Sequence, residues 1–427
     1  MPTLNKIRAA LPRSLRGTGV PRGPAGARLA RLRTVLTVFF ALDGFVFAGW
    51  VVRIPDIKDQ TGASPSALGL ALLGVSAGGV ATMVLTGGLI RRYGAHAVTV
   101  GTAALLSAGV VLPPLTRSAL ALGLVLVVFG AAFGSISVAM NSAAVDLVAA
   151  LRRPVMPGFH AAFSLGGMLG AGLGALVAGH LSPTRHLLLL ALLGLAVTAF
   201  AGPALLALPA PKRPPAPEVA DGQNPAGAGS EAAAAERPAG RTRLLVAVLG
   251  LVALCTAYGE GAMADWSALH LKESLDAGPG LAAAGYSVFA LAMTAGRLSG
   301  TALLLRLGQN RALVAGGATA CVGMLLGSFS PYVWGALAGF ALTGLGLANI
   351  FPIAIGRAGE LAGPNGVAAA STLGYGGMLL GPPAIGFLAD WFSLRAALST
   401  VALLAGAAAL IAYAMQAVQN GGRPRGT

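Results

Sequence analysis

The feature that most constrains this chain is a series of continuous apolar runs, each near the ~20 residues that a helix needs to cross ~30 Å of hydrocarbon. Twelve runs can be marked off: 34–52, 67–90, 97–116, 119–141, 157–180 and 187–208, then after a gap 244–263, 281–305, 312–328, 333–355, 367–389 and 396–418. Strands of a membrane barrel would instead alternate apolar and polar residues over about ten positions. With 56% of its residues hydrophobic and 10% charged, the chain has more apolar surface than a water-soluble core can cover. Its 62 glycines are scattered through the runs, as close helix approach in lipid requires. The expected fold is an all-α integral membrane protein with twelve transmembrane helices.

The net charge of +15 lies between the runs rather than on one soluble face, which argues against nucleic acid as a partner. Of the 29 lysines and arginines, 22 fall on the side that holds both termini, six on the other side, and Arg297 inside a run. By the positive-inside rule both termini are cytoplasmic and the protein is multi-pass in the plasma (inner) membrane. Residues 1–33 form a basic cytoplasmic tail and residues 419–427 a short second one. Residues 209–243 turn to Pro, Ala, Gly and Glu, too polar to span and too poor in large apolar side chains to fold. They predict a disordered cytoplasmic linker between six-helix halves at 34–208 and 244–418.

The halves resemble each other. GGML begins at Gly166 in the fifth run and at Gly376 in the eleventh, an offset of 210; RRYGAH after the second run and LRLGQNR after the eighth set Arg92 and Gly94 opposite Arg306 and Gly308, an offset of 214. Two such offsets predict a duplicated unit, and parallel repeats are a transporter architecture with the site between halves. At these residues the chain resembles the major facilitator superfamily. In GGLIRRYGAH, Gly87, Arg92 and Gly94 match that superfamily's loop signature, whereas Arg91 stands where an acid belongs and His96 where the last basic residue belongs. WVVRIPDIK, VAMNSAAV, FHAAFSLGG, GEGAMADWSALHL and LLGPPAIGFLAD are similar to the fucose-permease-like branch. The resemblance implies secondary transport of a small organic solute, sugar-like or another metabolite, by alternating access. Proton-coupled symport is the first expectation and proton-driven efflux of a drug or metabolite the alternative. A non-transporting sensor or scaffold is the rival class.

Other chemistries lack their minimal parts. None of the four lysines follows a glycine, so there is no P-loop, and no histidine is followed by glutamate. Cys255 and Cys321 each lie in an apolar run, which leaves neither a disulfide framework nor a thiolate metal cluster. No enzyme activity, cofactor or metal is expected, and the partners are the solute, protons and membrane lipid, with a monomer as the functional unit.

Charge inside a span costs ~2.5–3.5 kcal/mol on insertion scales, so each such residue is a functional candidate. Asp43 lies nine residues from each end of the first run, about 13 Å deep by helical rise. Removal from water penalises its ionised form, which makes it the leading proton-coupling candidate, with Glu260 and His160 behind it. Arg297, Asn141, Asn349, Tyr258 and Tyr375 are the cavity candidates, polar groups on or near the helices that the resemblance places around the path. Glu260 is read as lying three residues from the outer end of the seventh run, where with Asp265 and Trp266 it could gate the path or contact Arg53. Arg92, Asp146 and Arg153 are read as a cytoplasmic lock.

Overall fold

The computed structural model describes residues 24–151, 155–210 and 240–421. Among these residues no strand occurs. The helices are α1 (Pro24–Val51), α2 (Ile54–Thr61), α3 (Pro65–Tyr93), α4 (Ala95–Gly109), α5 (Ala119–Leu151), α6 (Met156–Val177), α7 (Pro183–Leu206), α8 (Gly240–Leu275), α9 (Pro279–Leu307), α10 (Gln309–Phe329), α11 (Val333–Leu347), α12 (Ile350–Trp391) and α13 (Leu394–Gly421). Residues 1–23 and the central segment 211–239, which hold most of the expected tail and linker, lie outside the described residues.

Local sequence sets the helix ends. Pro65 and Pro183 open α3 and α7, where a missing N–H costs nothing, and the hydroxyls of Ser64 and Ser182 accept from the backbone N–H of Ala67 and Arg185. At the end of the bundle nearer the termini, α3 turns into α4 at Gly94 and α9 into α10 at Gly308. Both glycines take positive φ, 82° and 75°, a conformation that side chains disfavour. These are the residues related by the offset of 214. The repeat extends to packing: α1 on α6, α3 on α5 and α4 on α7 in the first half correspond to α8 on α12, α9 on α11 and α10 on α13 in the second.

Eleven helical segments among the described residues are long and apolar enough to span, close to the twelve expected. The remaining crossing is the second arm of α12. As a straight rod its 42 residues would extend about 63 Å. Instead Gly366 abuts the carbonyl of Ala358, and Gly374 abuts the ring of Phe351, so the chain reverses between Ala358 and Gly366 and forms two arms. The tenth expected span is itself interrupted, since α11 ends at Leu347 and α12 starts at Ile350, with Asn349 at the break.

Glycine rows set how closely helices approach. On α6, Gly166 and Gly170 lie against the backbone of α1 at Ala41 and Phe45, and on α5, Gly130 lies against Val75 of α3. Residues four apart share one helix face, so the Gly166–Gly170 spacing acts in packing as the small-residue pattern implies.

The halves meet along two helix pairs, α3 with α12 and α6 with α9, and α8 also touches α2. Several close contacts of this seam are at the end away from the termini, called here the distal end. Gly69 abuts the backbone of Pro382, Gly386 that of Pro65, and Gly280 the carbonyl of Ala175. The backbone N–H of Ser66 donates to Asp390 Oδ2 at 2.9 Å. Ala48, Val52, Ala171 and Ala283 form a small buried cluster with Tyr286 against it.

Candidate functional site

The seam between α6 and α9 closes at one end and opens at the other. On α9, Ala283 and Tyr286 pack against the first half, and Thr294 and Arg297 lie eleven residues further on, about 20° round the helix by ideal geometry. On α6, Ala171 belongs to the same cluster and His160 lies eleven residues before it. The helices run in opposite directions, so both steps descend about 16 Å toward the termini. His160 and Arg297 therefore share a depth on facing helices, within electrostatic reach of each other. Around them the seam has parted: His160 is exposed, and Arg297 keeps 43% of its side chain accessible.

Glu260 completes the group. Its two carboxylate oxygens accept from Arg297 Nη2 at 3.1 and 3.2 Å. The seventh expected run stops at Met263, but α8 continues to Leu275, which puts Glu260 fifteen residues, about 22 Å, from the distal end of its helix. It belongs to this opening and not to a distal gate. The run reads short because Asp265, His270, Lys272 and Glu273 lower hydropathy without interrupting the helix. Asn349, at the break between α11 and α12, donates from Nδ2 to the carbonyl of Gly296 at 2.9 Å and so stands beside Arg297.

The other expected residues are dispersed. Asp43 is 1% exposed, and among the described residues its Oδ1 has no hydrogen-bond partner. It shares a helix face with Phe47 and Trp50, four and seven residues on, whose rings meet Phe133 and Phe129 of α5 at 4.8 and 6.1 Å. Asn141 donates to Ser137 O of its own helix at 2.8 Å. Tyr258 is buried, its hydroxyl 2.9 Å from Thr400 Oγ1, whereas Tyr375 is exposed. Asp265 is half-buried, and Trp266 is buried with no partner for its indole N–H. Arg92 is exposed over the Tyr93 ring at 5.3 Å, Asp146 is half-buried within electrostatic reach of His96, and Arg153 lies outside the described residues.

Arg53 does not reach Glu260 or Asp265. It is fully buried, donating to His186 Nδ1 at 2.9 Å, Asp56 Oδ2 at 2.9 Å, and the carbonyls of Ala178, Val177 and Leu181. An arginine has five donors in a rigid fork, and Arg53 uses them to tie the end of α1 to the α6–α7 connection within one half. The distal latch between halves is made by residues not singled out from sequence. Lys58 pairs with Glu273 at 2.6 Å, and Lys272 pairs with Asp59 at 2.6 Å and Asp56 at 3.6 Å. A signal was present, since IPDIKDQ and HLKESLD both alternate acid and lysine just beyond a span. Only the fold shows that the two segments face each other. Among the described residues no salt bridge joins the halves near the termini.

Two parallel repeats, a seam between them and an ion pair inside it match a known design. Residues 34–375 match the family described as Major Facilitator Superfamily. The chain belongs to the major facilitator superfamily. Relatives in this superfamily include an uncharacterized MFS-type transporter of Yersinia pestis, 34% identical over 369 residues that cover 86% of this chain and 91% of the relative. Membrane protein MosC of Rhizobium meliloti is 30% identical over 385 residues, 89% of each chain. Among solved structures, an inward-facing, unoccupied bacterial homolog of the human lysosomal transporter Spinster has a TM-score of 0.72 at 14% identity, covering 94% of this chain and 99% of that one. A D-xylose–proton symporter has a TM-score of 0.70 at 13% identity, covering 90% and 97%. These likenesses share the superfamily fold, and the chain is a multi-pass membrane protein of a transporter family.

Proposed function

We propose that this chain is a secondary transporter of the plasma membrane that moves a small organic solute past Glu260, Arg297 and His160 by alternating access, coupled to protons. The observation that carries the reading is the shape of the α6–α9 seam, sealed at Ala171, Ala283 and Tyr286 and open where His160 and Arg297 face each other. A path that is closed at one end and carries a charged group where it opens is one of the two states such a carrier needs. With both termini cytoplasmic, as the 22-to-6 distribution of lysine and arginine implies, this is the inward-open state. Residues 34–208 and 244–418 are the moving halves and residues 209–243 connect them. The Arg53-containing WVVRIPDIK and the Glu260-containing GEGAMADWSALHL support placement in the fucose-permease-like branch.

Asp43 is the proposed proton carrier, because a buried carboxyl with an oxygen unpartnered among the described residues changes charge only when its surroundings change. The test is uptake of labelled small metabolites into vesicles under an imposed pH gradient, comparing the parent with Asp43→Asn at equal folded amounts. The parent accumulates at least one solute; the variant exchanges it across the membrane but does not concentrate it. Undiminished accumulation by Asp43→Asn would remove Asp43 from the coupling, and a parent that moves nothing would return the chain to the sensor or scaffold class.

A further inference from the structure

The manner in which Glu260 holds Arg297 bears on what the site receives. Both carboxylate oxygens share the single nitrogen Nη2, and neither Nη1 nor Nε takes part. A carboxylate that filled a guanidinium edge would take two parallel bonds from two nitrogens. Arg297 stays 43% exposed while paired, and among the described residues Nη1 and Nε have no hydrogen-bond partner. Of the aromatic groups nearby, Tyr258 commits its hydroxyl to Thr400, and Tyr286 spans from the distal seal to within electrostatic reach of Glu260 and Arg297. Facing Arg297 from the other half is His160, its ring edge-on to Phe40 at 5.9 Å, which adds an imidazole to the opening.

We infer that the transported solute bears a carboxylate, which Arg297 receives on the donors that Glu260 leaves free. The inference rests on the reading that the α6–α9 opening is the transport path. A guanidinium is weakly hydrated and matches a planar oxyanion in two bonds; because Glu260 already neutralises Arg297, a carboxylate adds one net negative charge to the site, the least that an anionic solute can add. A phosphate dianion would add two negative charges beside the Glu260 carboxylate, twice the repulsion that a carboxylate meets. Glu260 then acts as the internal anion that keeps Arg297 paired when the site is empty.

The consequence is measurable without knowing the solute. Full-length protein in nanodiscs, with Cys255 and Cys321 replaced by serine, is melted in sodium acetate, in acetamide and in sodium chloride at matched ionic strength. Glu260→Gln frees Arg297 from its competitor, so acetate stabilises this variant with an apparent affinity about tenfold tighter than for the parent. Acetamide does nothing, and adding Arg297→Gln abolishes the response. Glu260→Ser serves in the same way if the glutamine variant does not fold. An acetate response of Glu260→Gln no greater than that to chloride, or an equal response to acetamide, would overturn the carboxylate assignment. Labelling of Thr294→Cys by a water-soluble thiol reagent in the same nanodiscs separates the two failures. Labelling without an acetate response rejects the solute class and keeps the path, whereas a protected thiol rejects the path and the solute class with it.

Discussion

Replacing Lys58 and Lys272 together by alanine shifts the chain from opening near the termini toward opening at the distal end. The two lysines hold three carboxylates of the opposite half, Glu273, Asp59 and Asp56, across the seam. Partly exposed pairs of this kind contribute at most about 1 kcal/mol each, so losing these three changes the balance of states by no more than about 3 kcal/mol, roughly 150-fold. The Arg53 network and the apolar seal at Ala171 and Ala283 remain, so the halves stay folded. Distances between spin labels placed at the two ends of the seam report the shift directly. High salt moves the parent in the same direction, because screening weakens exposed pairs. Unchanged distances in the double variant would show that the apolar contacts alone keep the distal end shut.

Gly166→Leu produces the second large effect, loss of folded protein. A Cβ at Gly166 falls on the backbone of Ala41, and no side-chain rotamer can relieve a clash with main chain. Overpacking costs ~1–3 kcal/mol where neighbours can shift, and more where two helix backbones must separate along their length. Gly172→Leu on the same helix is the control, since nothing lies within 4 Å of its Cβ position and leucine is the better helix former. Size-exclusion profiles of the two variants in detergent distinguish them. A monodisperse Gly166→Leu peak with parental yield would mean that α1 and α6 do not touch there.

Both predictions depend on features with different visibility in the amino-acid order. The spans, the repeat and the glycine contacts are local or periodic. Run length gives the first, the offsets of 210 and 214 give the second, and the spacing of Gly166 and Gly170 gives the third. The site was legible only as separate residues. Glu260 and Arg297 stand out because charge inside a span is costly, but their pairing depends on α8 continuing twelve residues beyond Met263, where hydropathy falls and the helix does not end. Arg53 looked like a gate because it lies just past a span. Its donors are satisfied by Asp56, three residues along, and by groups around the α6–α7 connection, a partnership that no periodicity announces. The latch needed the relative placement of two halves, which no sequence pattern within either half contains. The reversal inside α12 escaped for a similar reason, as continuous hydrogen bonding hides a turn that only the contacts of Gly366 and Gly374 expose.

The central claim is that one path is reached from the two sides of the membrane in turn, and Thr294 offers a direct probe of it. Thr294 is half-buried on the α9 face that carries Ala283, three residues from Arg297, and its hydroxyl donates to the carbonyl of Ala290 in its own helix. In a chain freed of Cys255 and Cys321, Thr294→Cys is treated with a membrane-impermeant thiol reagent, first on intact cells and then on inside-out vesicles. The account predicts modification from both sides. It further predicts that a cross-link made by a bifunctional thiol reagent between Lys58→Cys and Glu273→Cys, which holds the distal latch shut, abolishes modification in intact cells and leaves it unchanged in inside-out vesicles. Modification in intact cells that persists with the latch locked, or a thiol that reacts from one side only in the unlocked protein, would contradict alternating access at this seam.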